Sequence, residues 1–446
     1  MRHTIRQWLP NRAALLFVTI LPVLALAPSG CTTLVSTSDF SATQYFPVPA
    51  GLVPSVEFWR KVYAEWSRAQ VVVHDDRYLD LIYQVAELPG PIKASYTPRQ
   101  RDFVDSLKAS WQARLQELSR KLASKAPLTS EERALKNKLS AAGGGAALID
   151  PAARVRTQRG LRERFRRGLE ISGGYEQAFR EIFRRHGVPE DLAFLPHVES
   201  SFQLNARSSA GATGMWQFIR STGRQYMRVD NQIDERLDPF IAADAAARYL
   251  AQAYSKLGSW PLAITSYNHG VGGMSNARAI HGDDIASIVK HYRGRYFGFA
   301  SRNFYAEFIA ARHVAKHPQE YFPEIHYEKP IAQRRVSMTK SQRVNEVARE
   351  LGVPVYELIR ANPAWLGPIR DGRAPIPAGS TLWLPGGQAP SKDKQQRAMD
   401  APLFGAHPAS DLNPELAPDQ NKHQTPGRPP RSDSHMPGSF WRRTEA

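Results

Sequence analysis

Cysteine is almost missing from this chain: Cys31 is alone among 446 residues. No intramolecular disulfide can form, and a thiolate-rich zinc site has nothing to draw on. Histidines are scattered. The pair His313 and His317 sits four apart with no acid motif beside it, so no metal is expected. Phosphate-cradling and dinucleotide-binding glycine loops are also lacking, and no cofactor is expected. Long apolar runs are confined to residues 13–27, and even that run is short of the roughly 20 residues a membrane span needs and contains Pro22. Acids are scarce, 42 against 59 lysines and arginines, for a formal charge of +17. A basic body suits a polyanionic partner. Its charge is spread along helices and not grouped as a nucleic-acid module, which argues against nucleic acid and leaves cell-wall polymers and anionic lipid heads.

What is present begins with an address. Arg2, Arg6 and Arg12 precede the apolar run, the layout of a signal peptide over residues 1–30. Pro28, Ser29 and Gly30 then lead into Cys31 and resemble a bacterial lipobox, in which Cys31 is lipidated and becomes the mature N-terminus. Acyl chains would hold the chain on a membrane surface. Thr32 lacks the acidic signal that retains lipoproteins at the inner membrane. The expected place is therefore the periplasmic face of the outer membrane of a Gram-negative bacterium. Residues 32–53 read as a tether, rich in Ser, Thr and Pro.

Helical periodicity starts near Ser55, with Phe58, Val62, Trp66 and Ala69 on one face. Helices are expected over 98–124 and 130–141, broken by Gly143, Gly144 and Gly145, and again over 154–170 and 174–186. Residues 54–187 thus form an N-terminal helical region. Pro189, Glu190 and Asp191 open a further helix, since proline suits a first turn and acids suit its positive end. Pro196 lacks the N–H that would bond back to Leu192, so a kink is expected just before Glu199. Asp238 and Pro239 start an alanine-rich helix ending at Gly258, and 260–267 is another.

Glu199 closes an apolar stretch of Leu192, Phe194, Leu195 and Val198, with Phe202 after it. A carboxyl among apolar groups resists ionisation and can donate a proton to a glycosidic oxygen. The surrounding pattern is Glu199-Ser200, then Ser208, then Gly211-Ala212-Thr213-Gly214-Met215-Trp216-Gln217, then Ser266-Tyr267-Asn268-His269-Gly270. This order and spacing resemble the lysozyme-like catalytic domain of lytic murein transglycosylases, the membrane-bound type D branch above all. The resemblance runs from about residue 58 to 322. It departs from the family pattern at Gln203-Leu204, Arg220 and His269.

The resemblance implies a lysozyme-like helical domain over 188–327 that cleaves peptidoglycan between N-acetylmuramic acid and N-acetylglucosamine. Glu199 would act as acid and then as base, giving 1,6-anhydro ends without water. Tyr267 would hydrogen-bond and orient Glu199, and Ser208 would meet the N-acetyl or 6-hydroxyl region of the sugar. Gly214 would permit close backbone approach. Trp216 and Gln217 would line the cleft, and Asn268 would support the Tyr267 turn. Two other readings share the motif: a goose-type lysozyme-like hydrolase that uses water, and a non-catalytic peptidoglycan-binding lipoprotein.

After Pro330 the pattern changes. A short strand at Val336, helices around Val344–Leu351 and after Val355, and a strand near Leu382 give a β-α-α-β order over 328–386. It resembles a divergent LysM module, without the usual Gly-Asp-Thr-Leu at its start, where Lys340, Ser341, Gln342 and Arg343 stand. The fold class expected is mainly α, with this small βααβ domain at the C-terminal side. Residues 387–446, poor in apolar side chains, are expected to be disordered.

Overall fold

In the computed structural model, residues 43–385 are described, Gln333 excepted. Cys31, the expected signal peptide, the start of the tether and the expected disordered tail lie outside them. The described chain is mainly α.

Helix α1 (Val53–Ala64) buries Val56, Phe58, Trp59, Val62 and Tyr63. The helix stops before Trp66 and Ala69, which the sequence places on the same face, because the chain turns at Ser67 into strand β1 (Gln70–Asp75). β1 is the middle of a three-stranded antiparallel sheet with β2 (Ile82–Glu87) and β3 (Val155–Arg159). Val72 faces Val85 on one side and Gln158 on the other. The sheet stands beside the helices expected in this region, and β3 occupies residues expected to begin a helix.

Between β2 and β3 stand α2 (Pro98–Ser124) and α3 (Ser130–Ala147). Both start at reciprocal caps. Thr97 and Gln100 exchange side-chain and backbone bonds, as do Thr129 and Glu132. Gly143 and Gly144 leave helical geometry where the sequence places the break. Leu115, Leu118 and Leu139 pack on Val73 and Val155, so this helical pair has its own small core.

The main core is built by α4 (Arg162–Ser172), α5 (Glu176–Arg185) and the helices that follow. A 3-10 turn (Glu190–Phe194) runs into the short α6 (Leu195–Glu199). Pro196 falls in the first turn of α6, where a missing N–H costs nothing. Residues 190–199 are therefore not one helix kinked at Pro196, as expected, but a 3-10 turn followed by a new helix that starts there. Asp191 fastens the approach. Burial pushes its pKa up, yet Arg312, Arg180 and Lys316, at 2.6, 3.0 and 3.2 Å, outweigh that and hold it below the usual carboxylate range.

After the short α7 (Arg220–Gly223) and a 3-10 turn (Glu235–Leu237), α8 (Pro239–Leu257) begins at Asp238, whose carboxylate accepts from the N–H groups of Phe240 and Ile241. Its buried alanines, 242, 243 and 245–247, let neighbours approach closely. α9 (Trp260–His269) is buried from Trp260 through Asn268, so it is a core helix with no solvent face. Then come α10 (Val271–His281), α11 (Ile285–His291), α12 (Phe299–Lys316) and the short α13 (Pro318–Tyr321). α12 runs through the core and packs along α1, where Trp59 Nε1 donates to Asn303 Oδ1 at 3.3 Å.

At the C-terminal side β4 (Arg335–Ser337) pairs antiparallel with β5 (Thr381–Trp383) around α14 (Val344–Leu351), α15 (Val355–Ala361) and the short α16 (Gly367–Arg370). Val344, Val347, Leu358, Ile369 and Leu382 fill the space between them.

Candidate active site

Glu199 is the last residue of α6 and is 2% exposed. The helix cannot continue past it. Ser200 turns out of helical geometry, and Ser201 and Phe202 both take left-handed backbone angles, with φ of 53° and 57°. Two consecutive residues with side chains in that region are costly, at roughly 1–2 kcal/mol each. The corner is held from several sides. Ser200 and Phe202 N–H both donate to Pro196 O, at 3.0 and 3.2 Å. Arg164, on α4, donates to Ser200 O at 3.2 Å and places a cation at the negative end of α6.

The turn 211–218 faces this corner. Ser200 Oγ donates to Met215 O at 2.8 Å, and Tyr267 Oη, from α9, donates to Trp216 O at 2.9 Å. Glu199's immediate neighbour and Tyr267 therefore grip consecutive carbonyls of one turn. The hydroxyl proton of Tyr267 is thus given to the turn. Tyr267 and Glu199 still feel each other: burial raises the Tyr267 pKa well above the phenol range, and the charge of Glu199 adds to it.

Ser208 is half-buried at the mouth of the same turn. Its Oγ accepts from Ala212 N at 3.0 Å, and its own N–H donates to Ala212 O at 2.9 Å. Gly214 has φ of 80°, and a Cβ there would lie 1.8 Å from Arg236 O. The close approach it permits is to this carbonyl. Trp216 and Gln217 correct the sequence reading more sharply. Both are 0% exposed. Trp216 stacks on Phe183 and donates to Pro239 O at 3.1 Å. Gln217 donates to Gly214 O and Ala206 O at 2.7 and 3.2 Å. Neither offers a face to a sugar ring, because the apolar core against α5 and α8 claims Trp216 and the tight turn claims the amide. Asn268 accepts from Ser301 Oγ at 2.8 Å and so ties the end of α9 to α12.

The sequence reading missed several groups. Arg236 is buried and forms a two-point pair with Asp234, at 2.9 and 2.8 Å. Its remaining nitrogen donates to both Gly211 O and Phe218 O at 3.0 Å, closing the two ends of the turn. The signal was a dense run of charge, Asp234 to Asp238, directly before a buried alanine helix, since buried charges come paired. Asp234 and Asp238 are both committed to such structural bonds. Glu235 accepts from Arg228 N at 2.6 Å, and burial raises its pKa to about 7. The buried acid Glu307 of α12 and Tyr63 of α1 share the surroundings of Glu199. Burial raises the Tyr63 pKa strongly, and the charges of Glu307 and Glu199 add to it. His197, also on α6, lies fully buried among Phe165, Phe194 and Phe202 with no hydrogen-bond partner on either ring nitrogen.

The segment that carries this geometry is similar to a known class of domain. Residues 177–288 match the transglycosylase SLT domain family. Among individual proteins, the chain is 38% identical over 97 residues to the membrane-bound lytic murein transglycosylase D of Escherichia coli (strain K12), covering 21% of this chain and 21% of that protein. It is 34% identical over 129 residues to the peptidoglycan transglycosylase gp16 of Escherichia phage T7, covering 28% of this chain and 10% of that protein. Among solved structures, the 70 kDa soluble lytic transglycosylase SLT70 of Escherichia coli aligns over 53% of this chain and 34% of its own, at 13% identity and a TM-score of 0.28. The matched segment thus spans about a fifth of the first relative's length and a tenth of the second's.

Proposed function

We propose that this chain is a lytic transglycosylase that cleaves peptidoglycan between N-acetylmuramic acid and N-acetylglucosamine. One observation carries the reading. Glu199 is buried at the end of α6, inside the segment that matches the SLT family, against a turn gripped by Ser200 and Tyr267.

Glu199 acts first as the acid. Its proton goes to the glycosidic oxygen, the bond from the muramic acid C1 to that oxygen breaks, and N-acetylglucosamine leaves with a free 4-hydroxyl. The neighbouring N-acetyl oxygen shares the positive charge at C1. The Glu199 carboxylate then takes the proton of the muramic acid 6-hydroxyl, whose oxygen closes on C1. The product is a 1,6-anhydro end, no water is consumed, and Glu199 regains its proton. One carboxyl serves both steps, where most glycosidases use two. Ser208 already accepts a bond from Ala212 N, which leaves its O–H to give to the N-acetyl or 6-hydroxyl region. Tyr267 acts on Glu199 through the turn, Gly214 and Gln217 hold that turn's shape, Trp216 supports it from the core, and Asn268 fixes α9. No cofactor takes part.

The wider reading is that residues 1–30 are a lipoprotein signal peptide and that lipidated Cys31 anchors the chain to the outer membrane, facing the periplasm. Residues 32–53 serve as the tether, 54–187 as the N-terminal region, 188–327 as the catalytic domain, and 387–446 as a tail. The unit at 328–386 is a divergent LysM-like module. The 38%-identical relative is itself a membrane-bound transglycosylase, which supports the membrane address.

The test is digestion of purified sacculi followed by mass spectrometry. Anhydro-muramic ends should accumulate with the wild-type chain and be lost in Glu199→Gln, whose amide is nearly isosteric but has no acid proton to give. Reducing ends in place of anhydro ends would make the chain a hydrolase. Turnover by Glu199→Gln within a few-fold of wild type would remove Glu199 from its role.

A further inference from the structure

The βααβ unit and the candidate site exchange side chains across their boundary. Ile233, from the catalytic segment, lies in the core of the βααβ unit, packed with Trp365 and Val344. Trp383, from β5, lies in the main core and meets Phe240 of α8 at 5.2 Å. The backbones join as well. Asp234 N donates to Ala364 O and Leu366 N to Gln232 O, both at 2.8 Å. Trp383 Nε1 donates to Asp238 Oδ2, while Asp238 Oδ1 caps α8.

These contacts flank the 3-10 turn Glu235–Leu237 on both sides, at 232–234 and at Asp238 and Phe240. The turn itself is the floor of the candidate site. The Arg236 side chain closes the turn 211–218, and the Arg236 carbonyl sits where any Cβ on Gly214 would be. A turn so placed has two neighbours and little freedom: what fixes it on one side fixes it on the other.

We propose that the βααβ unit positions the turn 211–218 through the Trp383–Asp238 contact, with Trp383 and Asp238 as positioning residues for the site. The unit is then a buttress of the catalytic segment, whatever affinity for glycan it also has. An effect on turnover rests on the activity proposed above; the coupling itself does not.

Coupling of this kind needs a direct measurement. Two substitutions in the full-length chain break the contact from opposite sides. Trp383→Phe keeps the ring against Phe240 and deletes the donor. Asp238→Ser keeps a capping oxygen for α8 but withdraws the acceptor from Trp383. Hydrogen exchange should rise about tenfold or more in peptides covering 211–218 in either variant, the scale of losing a hydrogen bond to a charged group. The double variant should show no more than the larger single effect, because both remove one interaction. Peptides from α12 and from α14 should keep wild-type protection, and kcat on short soluble glycans should fall with KM within twofold. Unchanged exchange at 211–218 in both single variants would overturn the proposal. So would strictly additive effects in the double variant, or equal loss of protection in α12, which would mean general destabilisation. A wild-type chain without turnover would sink the proposed activity and leave the exchange result to decide the coupling.

Discussion

The phenolic hydroxyl of Tyr267 donates to the main-chain carbonyl of Trp216, 2.9 Å away, and so braces the turn that faces Glu199. Ser200 does the same one residue earlier, at Met215 O. The two bonds hold the turn from α9 and from the residue that follows Glu199.

Tyr267→Phe should therefore act as a loosened brace. The buried Trp216 carbonyl loses its donor at a cost of about 1–3 kcal/mol. Urea unfolding should show that loss, and turnover should fall with it. An unchanged unfolding midpoint would mean that the bond contributes nothing to the turn.

Gly214 and Gly211 form a matched pair for testing the floor of the site. Both have φ near 80°, but a Cβ on Gly214 would strike Arg236 O, whereas nothing lies within 4 Å of one on Gly211. Gly211→Ala should cost only left-handed strain, about 1–2 kcal/mol. Gly214→Ala should cost clearly more, because Arg236 must move and take its bonds to Gly211 and Phe218 with it. Equal losses in thermal melts of the two variants would refute the close approach as the reason for glycine at 214.

His197 sets a pH dependence. Burial lowers its pKa from 6.5 to about 3. Between those values the unfolded chain binds the extra proton and the folded chain does not, so stability rises with pH across the window and is lost as pH falls below 6.5. His74, also buried, is lowered likewise to about 3 and adds to the slope. His197→Phe, set among three phenylalanines, should flatten the decline in melting temperature between pH 6.5 and pH 4. A decline as steep as in wild type would show that His197 takes up no proton on unfolding.

Much of the fold was legible because its signals were local. The start of α8 follows from Asp238 with Pro239, and the break in α3 from Gly143 and Gly144, each complete within a few residues. The sheet was not legible. Val71–Val73 of β1 find their partners on β3 more than 80 residues away, and no local window contains that pairing. In the site, the spacing of Glu199, Ser208 and Tyr267 could be read, but not which way Trp216 points: an aromatic beside a turn suits a cleft and a core equally well. The docking of the βααβ unit was hidden for the same reason as the sheet. Its own pattern closes on itself, and Trp383 meets Asp238 from 145 residues away.

The left-handed pair after Glu199 sets stability and reactivity against each other at a single residue. Ser201, held at φ of 53°, is where glycine would relieve strain. The same relief would free the corner that aims the carboxyl, since strain kept at a reactive site is part of what fixes its geometry. Ser201→Gly should then melt higher and turn over more slowly, and a variant that gained in both would show that the corner's strain serves no purpose. For anyone hardening this protein against heat, Ser201 is an inviting position that is better left alone.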